Sequence, residues 1–130
     1  LVGLPAGSRI MGVPAWTATA GAVYRRPLSG AVSGFLSADY SFTGNSQSLL
    51  NGGAGAMSTR PSYSLVDARI GIDWDTSELS LNGSNLTNAR PNLGDIGYGG
   101  YAQDTAAGFV IPQVATLRPA TLIVEYSRSF

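Results

Sequence analysis

Three features of the sequence predict an all-β, antiparallel up-and-down fold. Five segments alternate apolar and polar residues with a period of two. Charged residues make up 12% of the chain, about half the usual share of ~25% in soluble domains. The connections between the segments alternate strictly between short and long.

The first segment, residues 15–26, places Trp16, Ala18, Ala20, Ala22 and Tyr24 on one face. The second, 31–44, aligns Val32, Gly34, Leu36, Ala38, Tyr40 and Phe42 against Ser33, Ser37, Asp39, Ser41 and Thr43. In the third, 62–74, Val66, Ala68, Ile70, Ile72 and Trp74 oppose Asp67, Arg69, Gly71 and Asp73. The fourth, 77–88, sets Leu79, Leu81 and Gly83 against Glu78, Ser80, Asn82 and Ser84. The fifth, 121–130, sets Leu122, Val124, Tyr126 and Phe130 against Thr121, Glu125, Ser127 and Ser129. Phe35 and Ile123 break the alternation by falling on the polar side. Asp39, Asp67, Arg69, Asp73, Glu78 and Glu125 all lie on that same side.

The connections decide between a soluble sheet and a membrane one. Residues 27–30 and 75–77 are tight turns, whereas 45–61 and 89–118 are long, polar and rich in Gly. Long structureless loops are unusual in compact soluble domains. Strict alternation of tight turns with large loops is the pattern of outer-membrane barrels, with the turns periplasmic and the loops extracellular. On that reading the first, third and fifth strands run inward. Tyr24, Trp74 and Phe130 fall at the periplasmic rim, and Trp16, Tyr40 and Phe42 at the outer rim. These are the depths that amphipathic rings prefer. The expected structure is a curved open sheet of about five strands, a segment of a transmembrane β-barrel without a conventional core on its apolar side. Outer-membrane lipid is the partner of the apolar face, and a pore lies on the other. Asp39, Asp67, Arg69 and Glu125 are accordingly expected to face the lumen.

Composition excludes several functions. The chain has no Cys and no His, so it contains no disulfide, no zinc site of the usual ligand type and no Ser-His-Asp triad. Net charge is zero, and all eight cations are Arg, so no basic field for nucleic acid exists. No apolar run approaches the ~20 residues of a membrane-spanning helix, and no stretch reads as a secretory leader. No cofactor is expected. Asp73, Asp75 and Glu78 bring three carboxylates together, but without the loop spacing of a calcium site they read as a polar turn. The glycines of 51–55 lack the Lys-Ser/Thr ending and following helix of a phosphate loop. Both Asn-x-Ser/Thr matches, at Asn82 and Asn85, fall on a strand expected to cross a bacterial membrane.

The order GVPAWTATAGAVY, ADYSFTG, YSLVDARIGID, LSLNGSNLTNAR and RPATLIVEYSRSF resembles the C-terminal part of a TonB-dependent receptor. Asn85–Asn88 matches the penultimate strand of that family, and Arg118–Leu122 with Phe130 matches its closing strand; Arg128 stands where the family often has Tyr. The resemblance implies a 22-stranded barrel closed by a plug domain. It also implies uptake of siderophores or other scarce nutrients, driven through TonB contacts made by an N-terminal part. Residues 1–130 are then expected to be a C-terminal portion of the barrel, without the plug and beginning at Leu1 rather than Met. Phe130 is expected to be the signal read by the barrel-assembly machinery. Tyr98, Tyr101 and Phe109, set among glycines in the last long loop, are candidate ligand contacts. A soluble or secreted β binding module is the competing reading, and it predicts that Leu36, Ile70 and Val124 are enclosed in a water-free interior.

Overall fold

The computed structural model describes residues 10, 12–49, 57–96 and 113–130. Five antiparallel strands form one open sheet: β1 (Thr17–Ser29), β2 (Val32–Thr43), β5 (Tyr63–Trp74), β6 (Ser77–Ser84) and β9 (Thr121–Arg128). Their order across the sheet follows the chain, β1-β2-β5-β6-β9, so every neighbour is the next long strand in sequence. The all-β, up-and-down architecture expected from the periodicity is the one observed.

Register carries the amphipathic pattern from strand to strand. Tyr24 pairs with Leu36, Leu36 with Ile70, Ile70 with Leu81 and Leu81 with Val124. Because directly opposite residues share a face, an apolar row runs unbroken across all five strands. A slip of one residue at any junction would have mixed the two faces. The row is not covered: Leu36, Ile70 and Val124 are 45%, 55% and 71% exposed. The enclosed interior that a soluble module requires is therefore not what these three residues meet.

The two tight turns are shorter than expected. β1 runs on through Pro27 to Ser29, with a bulge between Pro27 and Ser29, leaving Gly30–Ala31 as a two-residue connection. Asp75–Thr76 is the other. The first residue of each has positive φ, 54° at Gly30 and 51° at Asp75. Gly meets no Cβ penalty there, and Asp tolerates the left-handed region better than most residues.

At the opposite end the two long connections differ from the structureless loops expected. Each begins as a short hairpin: β3 (Ser46–Leu49) with β4 (Met57–Arg60), and β7 (Gly94–Ile96) with β8 (Gln113–Ala115). The physical reason is pairing: the two limbs leave the sheet side by side, and their backbone groups satisfy one another. The fourth strand is also shorter than its alternation suggested. β6 stops at Ser84 because Asn85 and Asn88 take positive φ, 49° and 50°, which ends the extended chain.

Candidate functional site

The polar face holds the interactions that the sequence left unassigned. Its centre is Phe35, the residue that broke the alternation. Phe35 lies opposite Gly71 and is 7% exposed, the only buried hydrophobic side chain among those described. The pairing has a steric cause. A Cβ on Gly71 would stand 2.5 Å from Phe35 Cζ and 2.6 Å from the Leu79 carbonyl oxygen. Glycine leaves the gap, and the cross-strand ring fills it, a device that shields a strand glycine and pins register.

Two guanidinium groups close over the ring. Arg25 and Arg69 each place Cζ 5.3 Å from its centroid, within range of cation–π attraction. Each Arg also has a carboxylate partner. Arg25 donates to Asp73 at 2.9 Å, and Arg69 pairs with Glu78. Arg69 donates further to the Ser80 hydroxyl at 3.3 Å. Asn82 donates to the same hydroxyl at 3.4 Å and to Glu125 at 3.3 Å. A belt of polar contacts thus crosses the sheet from Arg25 on β1 to Glu125 on β9.

Asp39, Asp67, Arg69 and Glu125 lie on one face of the sheet, opposite the apolar row. The network joins Arg69 to Glu125 through Ser80 and Asn82. Asp39 and Asp67 stand apart from it. They are direct cross-strand partners and line a polar notch of about 260 Å³ with Thr19, Tyr40 and Ser41. Of the three carboxylates of the second tight turn, Asp73 and Glu78 are cross-strand partners, each taken up by an arginine, Arg25 and Arg69, and Asp75 makes the turn. No group of three metal-ligating side chains occurs among the described residues.

The aromatic residues divide between the two ends. Trp16 stacks on Phe42 at 4.4 Å, and Tyr40 shares a hydrogen bond with Ser64 at 3.0 Å, all toward the long connections. Trp74 and Tyr126 lie 6.1 Å apart near the tight turns. Phe130 is fully exposed, with the Arg128 guanidinium 5.5 Å from its ring. Tyr98, Tyr101 and Phe109 lie outside the described residues.

Sequence reasoning quoted Asn85 only as part of a motif and missed its role. Its side chain bonds three backbone groups. Nδ2 donates to the carbonyls of Ala89 at 2.9 Å and Arg118 at 2.8 Å. Oδ1 accepts from the Ala89 amide at 2.9 Å and lies 3.2 Å from the Thr87 hydroxyl, whose single proton has its shorter bond to Ser64 O at 2.8 Å. Its own amide donates to Asp67 at 2.7 Å. The signal available was the pair of Asn residues three apart at a strand end, since Asn both adopts positive φ and bonds nearby backbone. At 8% exposure Asn85 is buried, so its glycosylation match is idle.

An amphipathic antiparallel sheet with one exposed apolar face, one networked polar face, tight turns at one end and long loops at the other is a segment of a membrane β-barrel. Residues 3–86 match the family model described as TonB dependent receptor-like, beta-barrel. The chain belongs to that family of outer-membrane receptors and transporters. No curated protein and no solved structure matches it.

Proposed function

We propose that this chain forms the C-terminal part of the barrel wall of a receptor that actively imports a siderophore or a comparably scarce nutrient across the outer membrane of a Gram-negative bacterium. The observation that supports this most directly is the uncovered apolar row from Tyr24 to Val124, backed by the Arg25–Glu125 polar belt on the reverse face. Acyl chains cover the first in this reading, and the lumen with its plug domain meets the second. Every main-chain group of a lipid-embedded strand needs a partner, so the remaining strands of the barrel pair with the outer edges of β1 and β9.

Binding occurs outside, on the loops, with Tyr98, Tyr101 and Phe109 as contacts. Import follows when the plug, driven through TonB, opens the pore. The barrel-assembly machinery reads Phe130. The chain carries no covalent chemistry.

The test uses the intact receptor. Cells expressing it are given labelled ferric siderophores, with and without an energised TonB system, and their outer membranes are fractionated. Energy-dependent accumulation that vanishes on deletion of the receptor supports the reading. Replacing Tyr98, Tyr101 and Phe109 together by Ala should weaken ligand binding without changing barrel assembly. Recovery of residues 1–130 as a folded soluble monomer in plain buffer would overturn the reading in favour of a binding module.

A further inference from the structure

We infer that Asn85 is the positioning residue that clasps the two limbs of the last long connection where they leave the sheet, and so sets how that loop is presented. The inference stands on geometry at the loop base and does not depend on the identity of the imported ligand.

One planar amide meets both limbs at once. Its two N–H bonds go to different strands of chain: Ala89 O on the outgoing limb and Arg118 O on the returning limb, 33 residues after Asn85. Few side chains can do this. Bridging two carbonyls needs two donors on one side chain. The Ala89 amide, facing the same group at 2.9 Å, needs an acceptor beside them. Among side chains, only the carboxamides carry both, and the shorter Asn also tolerates the φ of 49° found here. Burial at 8% exposure keeps water from competing for these bonds.

The neighbouring residues make the clasp rigid. Asp67 holds the Asn85 amide at 2.7 Å, which anchors the hub to β5. The Leu86 amide donates to Val66 O at 2.8 Å, and the Thr87 hydroxyl to Ser64 O at 2.8 Å, so the whole turn is pinned along the same strand. Asn88, also at positive φ, adds a second tie to the returning limb by accepting from the Ala120 amide at 3.2 Å. Farther out, the Leu93 amide donates to Ala115 O at 2.8 Å, and β7–β8 pairing continues the contact. The limbs therefore enter the loop already in register, held from below by one side chain.

Asn85→Asp is the discriminating variant. It preserves size and the tolerance for positive φ, but an ionised carboxylate places oxygen against the carbonyls of Ala89 and Arg118 and loses both donors. Hydrogen exchange of the full-length receptor in detergent reads the outcome at Leu93, whose amide bonds across the limbs but does not touch Asn85. Exchange at Leu93 should speed up by roughly tenfold, as expected for loss of one or two buried hydrogen bonds. Exchange at Ile70, in the middle of the sheet, should not change. Ser77→Ala, beside the second tight turn at the other end of the sheet, removes a contact with Tyr126 and touches neither limb, and should leave Leu93 protected. Because residues 1–130 contain no Cys, spin labels at Arg90→Cys and Thr116→Cys add a direct measure, and their distance distribution should broaden in Asn85→Asp but not in Ser77→Ala. Unchanged protection at Leu93 together with an unchanged label distance would refute the clasp. A loss of protection at Ile70 as well would refute it too, since Asn85 would then hold the wall rather than the loop. Asn85→Ala, which removes donors and acceptor without adding charge, must reproduce the selective loss at Leu93.

Discussion

Replacing Ile70 by Arg separates a lipid-facing sheet from a soluble one more cleanly than any other single change. Ile70 lies near the middle of β5, between Leu36 and Leu81 in the apolar row, and is 55% exposed. On a water-exposed surface, such a substitution changes stability by no more than about 0.5 kcal/mol. Facing acyl chains close to the bilayer midplane, Arg costs about 2–4 kcal/mol. At about 1.4 kcal/mol per tenfold, that is roughly a thirtyfold to nearly thousandfold loss in the folding equilibrium. Snorkelling toward the rim lowers the cost but does not remove it, because the side chain must cross several ångströms of hydrocarbon. The matched control is Ser41→Arg on the polar face, near Asp39 and Asp67, where the new cation meets carboxylates and water. Denaturant titration of the intact receptor folding into phosphatidylcholine vesicles measures both. Ile70→Arg should be destabilised by at least about 2 kcal/mol more than Ser41→Arg. Equal stabilities for the two variants would refute the assignment of the apolar face to lipid.

Two further outcomes follow from the polar face. Gly71→Val should destabilise the barrel by about 1–3 kcal/mol through overpacking, because its Cβ meets both the Phe35 ring and the Leu79 carbonyl; shrinking the ring with Phe35→Ala should not restore stability, since the backbone clash remains. A double-mutant cycle on Arg69→Ala and Glu78→Ala should give a coupling of about 0.5–1 kcal/mol, the range for a partly exposed pair. That coupling should shrink in high salt, and a value near zero at low salt would show that the pair only decorates the surface.

Much of the sheet was legible because a period of two is a local signal. Each strand announced its own faces, and the alternation of tight turns with long connections ordered the strands without any knowledge of register. What could not be read locally depended on which residues stand opposite one another. Phe35 looked like an error in the pattern; only the pairing with Gly71 shows why a ring is needed there. Arg25 and Arg69 belong to different hairpins, and nothing in their spacing tells that both cover the same ring. Asn85 is a similar case. Its positive φ could be guessed from residue type, but its bond to Arg118 spans 33 positions. The hairpin bases of the long connections were missed because their strands are only three or four residues long, too short for alternation to register.

Register also converts the inner aromatic residues into a statement about tilt. Tyr24, Trp74 and Phe130 were assigned to one rim, yet they do not lie in one hydrogen-bonded row. Tyr24 shares its row with Ile70, four residues from Trp74 along β5. Trp74 shares its row with Ser77 and Arg128, and Phe130 lies two residues beyond. From β1 to β9 the rings step by about six residues over four strand spacings, always in the same sense. With ~3.3 Å per residue and ~4.8 Å between strands, the line they trace is inclined by about 46° to the rows. Strands that cross a membrane tilt by about 45°. A tilt of that size and of the matching sense brings the three rings to one depth, where each reaches the same interface. In an untilted sheet they would be scattered over about 20 Å. The oblique placement of three aromatic residues is thus what a tilted barrel wall requires, and a flat, water-covered sheet gives no reason for it.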